Sequence, residues 1–298
     1  MKENSNFSCR FRKMESYINQ LQDNICQSLE ELDTKNFHED YWKRKEGGAG
    51  RTRVLENGSL LEKAGVNVSS VHGPMSEELA KQLKTPPSFF GACGISLVLH
   101  PRSPKVPTVH MNLRYFETEE GQCWFGGGID LTPYFPYPED FKEFHQTLRE
   151  ACEKCIPGSY YSFKKYCDEY FNLPHRQEMR GIGGIFFDHL DGFDQQNFML
   201  VQEVGEIFLK AYLPLVHRRM KEKWNQEDLD FQYYRRGRYV EFNLIYDRGT
   251  LFGIKSNGRV ESIFMSLPPK VDFRYNWKPK INSPHHEMVE YYQPQSWC

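Results

Sequence analysis

A surplus of charge of either sign is missing from this chain: 38 Lys and Arg stand against 40 Asp and Glu, a net of −2. That balance argues against a general polyanion binder. The one basic and aromatic run, Tyr233-Tyr234-Arg235-Arg236, does not make a nucleic-acid surface by itself. Long apolar runs are missing too. No stretch approaches the ~20 residues that a bilayer-spanning helix needs, and MKENSNFSCR at the start lacks the apolar core of a secretory signal. The expectation is a soluble, cytoplasmic protein.

Paired cysteine motifs are nearly absent. The eight cysteines (9, 26, 93, 123, 152, 155, 167 and 298) are scattered and set no disulfide framework. Cys152 and Cys155 form one pair at metal spacing with no second pair nearby, which reads as ordinary reduced thiols rather than zinc. Nucleotide loops are absent as well. GIGG at 181–184 lacks the GxGxxG spacing, and GGAGRTR is not closed by Gly-Lys-Ser/Thr. Neither a dinucleotide nor an ATP site is supported.

Aromatic residues are plentiful: 22 Phe, 17 Tyr and 5 Trp, enough for a substantial core in one domain spanning 1–298. Apolar residues at three- and four-residue steps from Phe11 to Leu32 predict an amphipathic helix in an N-terminal segment 1–35. GGAGRTRVLENG (47–58) reads as a glycine-rich loop followed by a short strand and turn. Helices are expected at 75–84, 138–155, 158–172 and 194–223, the last kinked or broken at Pro214. WFGGGIDLTPYF (124–135) and RGIGGIFFDHL (180–190) read as strands, the first glycine-interrupted and running into a loop. Turn signals at Asp247-Arg248-Gly249 and Ser256-Asn257-Gly258 suggest a three-stranded antiparallel meander over 238–269, and the tail 270–298 reads as irregular. Clustered strands between clustered helices predict an α+β fold with a large, mainly antiparallel sheet flanked by helices.

Two adjacent strands carry the chemistry. In GISLVLHP, Ser96 and His100 share one face; in VPTVHMNLRYFET (106–118), His110, Asn112 and Arg114 do. The opposite faces hold Ile95, Leu97 and Leu99, then Val109, Met111, Leu113 and Tyr115, a core pattern. A solvated sheet face is usually filled with Lys, Glu and Thr, so this selection resembles a binding wall. The planar fork of Arg114 suits a carboxylate, with a structural ion pair as the plain alternative. Asp130 follows Gly126-Gly127-Gly128-Ile129. At the edge of that opening its carboxylate can hold an NH-bearing ligand or take a proton, or simply cap a turn with Thr132. His145 and His175 read as structural when taken singly. With His100 and His110 they would make a metal site only if all four met in space. Arg259, in GRVES, is either an anion-facing or a solvated turn arginine.

Taken together, GGAGRTRVLENG, EKAGVNVSSVHG, GISLVLHPRSPKVPTVHMNLRYFE, WFGGGIDLTPYF, FKKYCDEYF, HRQEMRGIGGIFFD, RRGRYVEFNLIYDRGTLFG and GRVESIFMSLPP resemble the oxygen-dependent coproporphyrinogen III oxidase family of heme biosynthesis. The resemblance implies oxidative decarboxylation of two propionates of coproporphyrinogen III to vinyl groups, giving protoporphyrinogen IX. Molecular oxygen is the oxidant, carbon dioxide and hydrogen peroxide leave, and no flavin, nicotinamide or heme is needed. It implies His110 as general acid/base and Asp130 as the acidic residue that engages the pyrrole nitrogens. Ser96, Asn112, Leu113 and Arg114, with Asn257, Gly258 and Arg259, correspond to substrate-contacting positions. His100, His110, His145 and His175 correspond to positions sometimes assigned to a divalent metal, whose requirement is disputed. The segment from Tyr239 to about Arg274 corresponds to a homodimerisation region. Ala49 departs from the family's glycine run, which suggests a stiffer entry loop. His189 replaces a common acidic residue, and the ending YYQPQSWC is unusual. With no visible presequence, the chain resembles bacterial or cytosolic members.

The rival readings are a non-catalytic tetrapyrrole-binding protein on the same scaffold and a metal-dependent oxygenase using the four histidines. The oxygen-independent radical route needs a C-x3-C-x2-C cluster, which this chain lacks.

Overall fold

A computed structural model describes residues 8–77, 80–81, 85–255 and 258–298. Its centre is a seven-stranded sheet in the order β1-β2-β3-β4-β5-β6-β9, every neighbouring pair antiparallel. The strands are β1 (His38–Lys43), β2 (Gly48–Glu56), β3 (Leu61–Pro74), β4 (Phe89–Pro101), β5 (Thr108–Thr118), β6 (Cys123–Thr132) and β9 (Gly184–Asp191). A two-residue ribbon, β7 (Asn172–Leu173) with β8 (Glu178–Met179), stands apart. The helices are α1 (Cys9–Glu30), α2 (Pro138–Cys155), α3 (Ser159–Tyr170), α4 (Gln195–Arg219), α5 (Gln226–Ile245), α6 (Arg248–Lys255), α7 (Val260–Phe264) and α8 (Pro284–Glu290). Sheet and helices together form the expected α+β fold.

Period-two alternation decides which sheet face is dry. Ile95, Leu97, Leu99, Val109, Met111, Leu113 and Tyr115 are all buried, against α1, α2 and α4. The apolar stripe of α1 (Phe11, Met14, Ile18, Leu21, Ile25, Leu29) is buried against the same core. Leu113 therefore points away from the polar face, and its side chain packs on the core side with the strands. As a substrate contact it can act only through its backbone, because its place in the alternation commits its side chain to the core.

Four expectations change. Of the glycines of GGAGRTR, Gly47 lies in the turn before β2 and Gly48 and Gly50 lie inside it; Ala49 pairs with Lys43 and Ser70, so it is a strand residue and not part of a flexible loop. Helix α4 runs unbroken through Pro214. The expected meander over 238–269 is helical: α5 continues to Ile245, and α6 and α7 follow. The inward stripe of α5 (Gln232, Arg235, Arg236, Tyr239, Phe242, Asn243) has helical spacing but is largely polar, so it does not register as apolar periodicity. Asn225 and Asp228 close a capping box that starts this helix. Finally, the tail is not wholly irregular. It holds α8 and inserts Met288, Tyr292 and Trp297 into the core. The expected helix at 75–84 falls partly outside the described residues. Among the described residues no helix is long and apolar enough to cross a membrane.

Candidate active site

Three rows of side chains run across the second sheet face, each defined by strand register. The first row reads His38, Val54, Gly65, Val98, His110, Asp130 and Gly184. The second reads Asp40, Thr52, Asn67, Ser96, Asn112, Gly128 and Phe186. The third reads Trp42, Gly50, Ser69, Gly94, Arg114 and Gly126. Antiparallel pairing puts register partners on one face ~5 Å apart. Ser96, His110, Asn112, Arg114 and Asp130 are thereby gathered on neighbouring positions of β4, β5 and β6. At one end α7 covers the face: Ser262 meets Thr52 at 2.9 Å and Met265 sits on Gly65. At the other end Phe171 and Phe186 pack with Phe242. Between them Ser69, Gly94, Ser96, Asn112 and Arg114 are half-buried. The glycines matter here because they leave the floor flat.

The electrostatic centre is a chain of three residues. His110 Nδ1 lies 2.7 Å from Asp130 Oδ1. Arg180, in the loop before β9, donates through Nη2 to both Asp130 oxygens at 3.0 Å and through Nη1 to Asn243 at 2.9 Å. Its guanidinium is packed against Phe171, Tyr239 and Phe242, with centroid distances of 4.0, 4.5 and 4.9 Å. Arg180 and Asp130 are each only 2% exposed. Burial alone would push the Asp130 carboxyl up, but the Arg180 charge and the His110 hydrogen bond hold it below the usual carboxylate range. An ionised Asp130 accepts, so Nδ1 of His110 carries the hydrogen. Nε2 is then the basic nitrogen, and it has no hydrogen-bond partner among the described residues. With 17% of its side chain exposed, His110 is the member of the three that faces outward.

This geometry corrects the expectation for Asp130. It is not a loop residue at the rim of an opening but a buried residue of β6 with both oxygens engaged. The sequence could not reveal this, because the partner, Arg180, is 50 residues away along the chain. Arg180 was not singled out from the sequence. The only available signal was the general need of a buried carboxylate for a cation.

Arg114 donates through Nη1 to Asn112 at 2.9 Å, and its Nη2 meets Asp188 at 2.7 Å. Arg259 lies at the far end of the second row, donating to Asp40 at 2.5 Å and to Ser262 at 3.2 Å. The Gly258 N–H donates to Gly253 at 2.7 Å. Asn257 lies outside the described residues.

The four histidines do not form one ligand set. His100 is buried, with Nε2 2.9 Å from the Ser266 carbonyl and Nδ1 3.3 Å from Thr108. His145, on α2, meets Tyr160 at 2.9 Å and the Ile182 carbonyl at 3.3 Å. His175 meets Tyr246 and Glu241, both at 2.8 Å. Burial and nearby cations push His100 well below the ordinary histidine range, and burial lowers His145 to about 3. Among the described residues no group of three or more His, Cys, Asp and Glu can hold a metal ion. Each ring has a local partner of its own, so these residues do not fit a shared metal. Cys152 and Cys155 are free and buried.

A polar, glycine-floored sheet face carries a histidine–carboxylate–arginine chain and further arginines, groups of the chemistry that holds an anion and moves a proton. The model of the coproporphyrinogen III oxidase family matches residues 13–297, nearly the whole chain, and the protein belongs to that family. It is accordingly an oxidoreductase of porphyrin biosynthesis with a tetrapyrrole as substrate.

Proposed function

We propose that this protein is the oxygen-dependent enzyme: it converts two propionates of coproporphyrinogen III to vinyl groups and yields protoporphyrinogen IX. Each conversion removes one carboxylate as carbon dioxide and one β-hydrogen, and the two electrons reduce molecular oxygen to hydrogen peroxide. No flavin, nicotinamide or heme enters the balance, because oxygen itself accepts the electrons.

The observation that carries the reading is the His110–Asp130–Arg180 chain beside Asn112 and Arg114. In this reading Arg114 and Asn112 hold a propionate, and Ser96 is a further polar contact on the floor. His110 is the general acid/base through Nε2, and Asp130 fixes its tautomer, as a carboxylate behind a catalytic imidazole does. Arg180 keeps Asp130 ionised. The more direct role for Asp130, contact with pyrrole nitrogens, would require it to release one of its present partners.

The expected homodimer through Tyr239–Arg274 finds support in a run of exposed apolar side chains on that segment: Leu244, Ile245, Ile254, Val260, Val271 and Phe273. A cytoplasmic location belongs to the same proposal.

The test is turnover of coproporphyrinogen III by metal-stripped protein, with and without oxygen, followed by chromatography of the products. The reading expects protoporphyrinogen only in the aerobic arm, with one peroxide per carbon dioxide. Equal anaerobic turnover, or binding without turnover, would overturn it.

A further inference from the structure

The register between β6 and β9 slips once. Phe125 pairs with Leu190 and Gly127 with Phe187, so Gly126 faces two residues, Asp188 and His189. Within the bulge His189 takes a left-handed backbone with φ of 51°. Asp188 keeps the face of Phe186 two residues before it, the face that carries Arg114, and the slip comes after it: Leu190 is set opposite Phe125, and His189 stacks on Trp124 at 5.0 Å. Asp188 Oδ1 then meets Arg114 Nη2 at 2.7 Å, while Oδ2 meets Nη2 of Arg248, at the start of α6, at 3.4 Å. Arg248 also donates to Tyr166 at 3.1 Å and lies over the Tyr170 ring at 4.8 Å.

We infer that Asp188 is a positioning residue, which ties Arg114 on the sheet and Arg248 on the helix into one two-arginine clamp for a propionate carboxylate. Two guanidinium groups brought together without a counter-ion repel each other. One carboxylate between them removes that repulsion and leaves a net +1, matched to a single propionate. Asp188 accepts from one N–H of each arginine, so the other N–H groups of both forks stay available to the ligand. The neighbouring groups agree with this charge count: Asn112 is neutral, and Phe186 lies 5.7 Å from the Arg114 guanidinium. This inference rests on the reading that propionates enter at Arg114, and it adds Asp188 and Arg248 to that site.

The test uses the full chain with Asp188→Ala, Asp188→Asn and Asp188→Glu. Steady-state kinetics with coproporphyrinogen III are measured together with fluorescence binding of coproporphyrin III and, as a probe without carboxylates, its tetramethyl ester in the same detergent. Asp188→Ala should raise KM about tenfold with a much smaller change in kcat. Binding of the free acid should weaken in parallel, binding of the ester should not change, and Asp188→Glu should recover part of the loss. Unchanged or tighter binding of the free acid in both Asp188→Ala and Asp188→Asn overturns the proposal, as does a fall in kcat at constant KM. So does unfolding of both variants by circular dichroism, which would make Asp188 a structural residue. If the wild type binds the free acid in an Asp188-dependent way but does not turn over coproporphyrinogen, the clamp stands and the proposed reaction falls. Turnover that is insensitive to Asp188 gives the reverse.

Discussion

Across paired strands β5 and β6, His110 and Asp130 are register partners joined by a 2.7 Å hydrogen bond, and only the histidine reaches the surface. In the proposed mechanism the pair divides labour: one residue presents its outer ring nitrogen, the other fixes the orientation of the ring.

That division predicts unequal kinetic effects. His110→Ala should lower kcat by about 100-fold or more, the usual range for losing a general acid/base, with KM little altered. Asp130→Asn should also lower turnover far more than affinity, since the amide cannot stabilise a protonated His110. Steady-state rates with coproporphyrinogen check both. Near-normal turnover in Asp130→Asn would remove Asp130 from the mechanism.

Arg180 is expected to matter for stability as well as rate. Arg180→Met leaves Asp130 buried without its cation, a loss of about 3–5 kcal/mol for a broken buried pair. The double variant Arg180→Met/Asp130→Leu removes both charges and should recover much of that stability while staying inactive. Urea unfolding midpoints separate the two. If the single and double variants are equally unstable, the loss comes from packing against Phe171, Tyr239 and Phe242 rather than from charge.

Acid should weaken the fold in two steps. His145 is neutral in the folded protein down to about pH 3, against an ordinary value of 6.5. Between those values the unfolded chain binds the proton and the folded chain does not, so stability falls as pH drops below 6.5. The slope is up to about 1.4 kcal/mol per pH unit for one such group. His100, also held neutral, adds to the same window. Asp130 acts lower down: its folded value lies below the ordinary 3.8, so its contribution is present above that pH and is lost as pH falls through the lowered value. Unfolding free energies measured from pH 7 to 4 should show a flatter profile for His145→Gln than for wild type.

Two glycines of the floor should respond differently to the same change. A methyl group on Gly126 would meet the Arg114 guanidinium 2.6 Å away, the far end of a flexible side chain. Gly126→Ala should therefore fold normally and raise KM by displacing Arg114. On Gly128 the same methyl meets the Ile185 carbonyl at 2.5 Å and the Phe186 ring at 2.9 Å. Gly128→Ala should instead lower the melting temperature by several degrees, the scale of a ~1–3 kcal/mol overpacking cost. Melting curves and KM measured on both variants distinguish these outcomes.

What the sequence determined by itself is what depends on neighbouring positions. Alternation along 95–99 and 109–115 assigned the dry and polar faces of β4 and β5, because side-chain direction in a strand repeats every second residue whatever the strand packs against. It therefore also placed Ser96, His110, Asn112 and Arg114 on one wall. The tertiary structure decided what depends on distant partners. Arg180 reaches Asp130 only when the loop before β9 returns beside β6. Asp188 meets Arg114 only because β9, more than 60 residues beyond β5 along the chain, pairs with β6 beside β5. Tyr239 and Phe242 lie on a helix although the turn signals after them suggested strands, because ion pairs such as Arg236 with Glu62 at 2.7 Å allow a polar stripe to be buried. The histidines stay apart for the same reason: a local pattern gives each a face, but only the folded chain decides which faces meet.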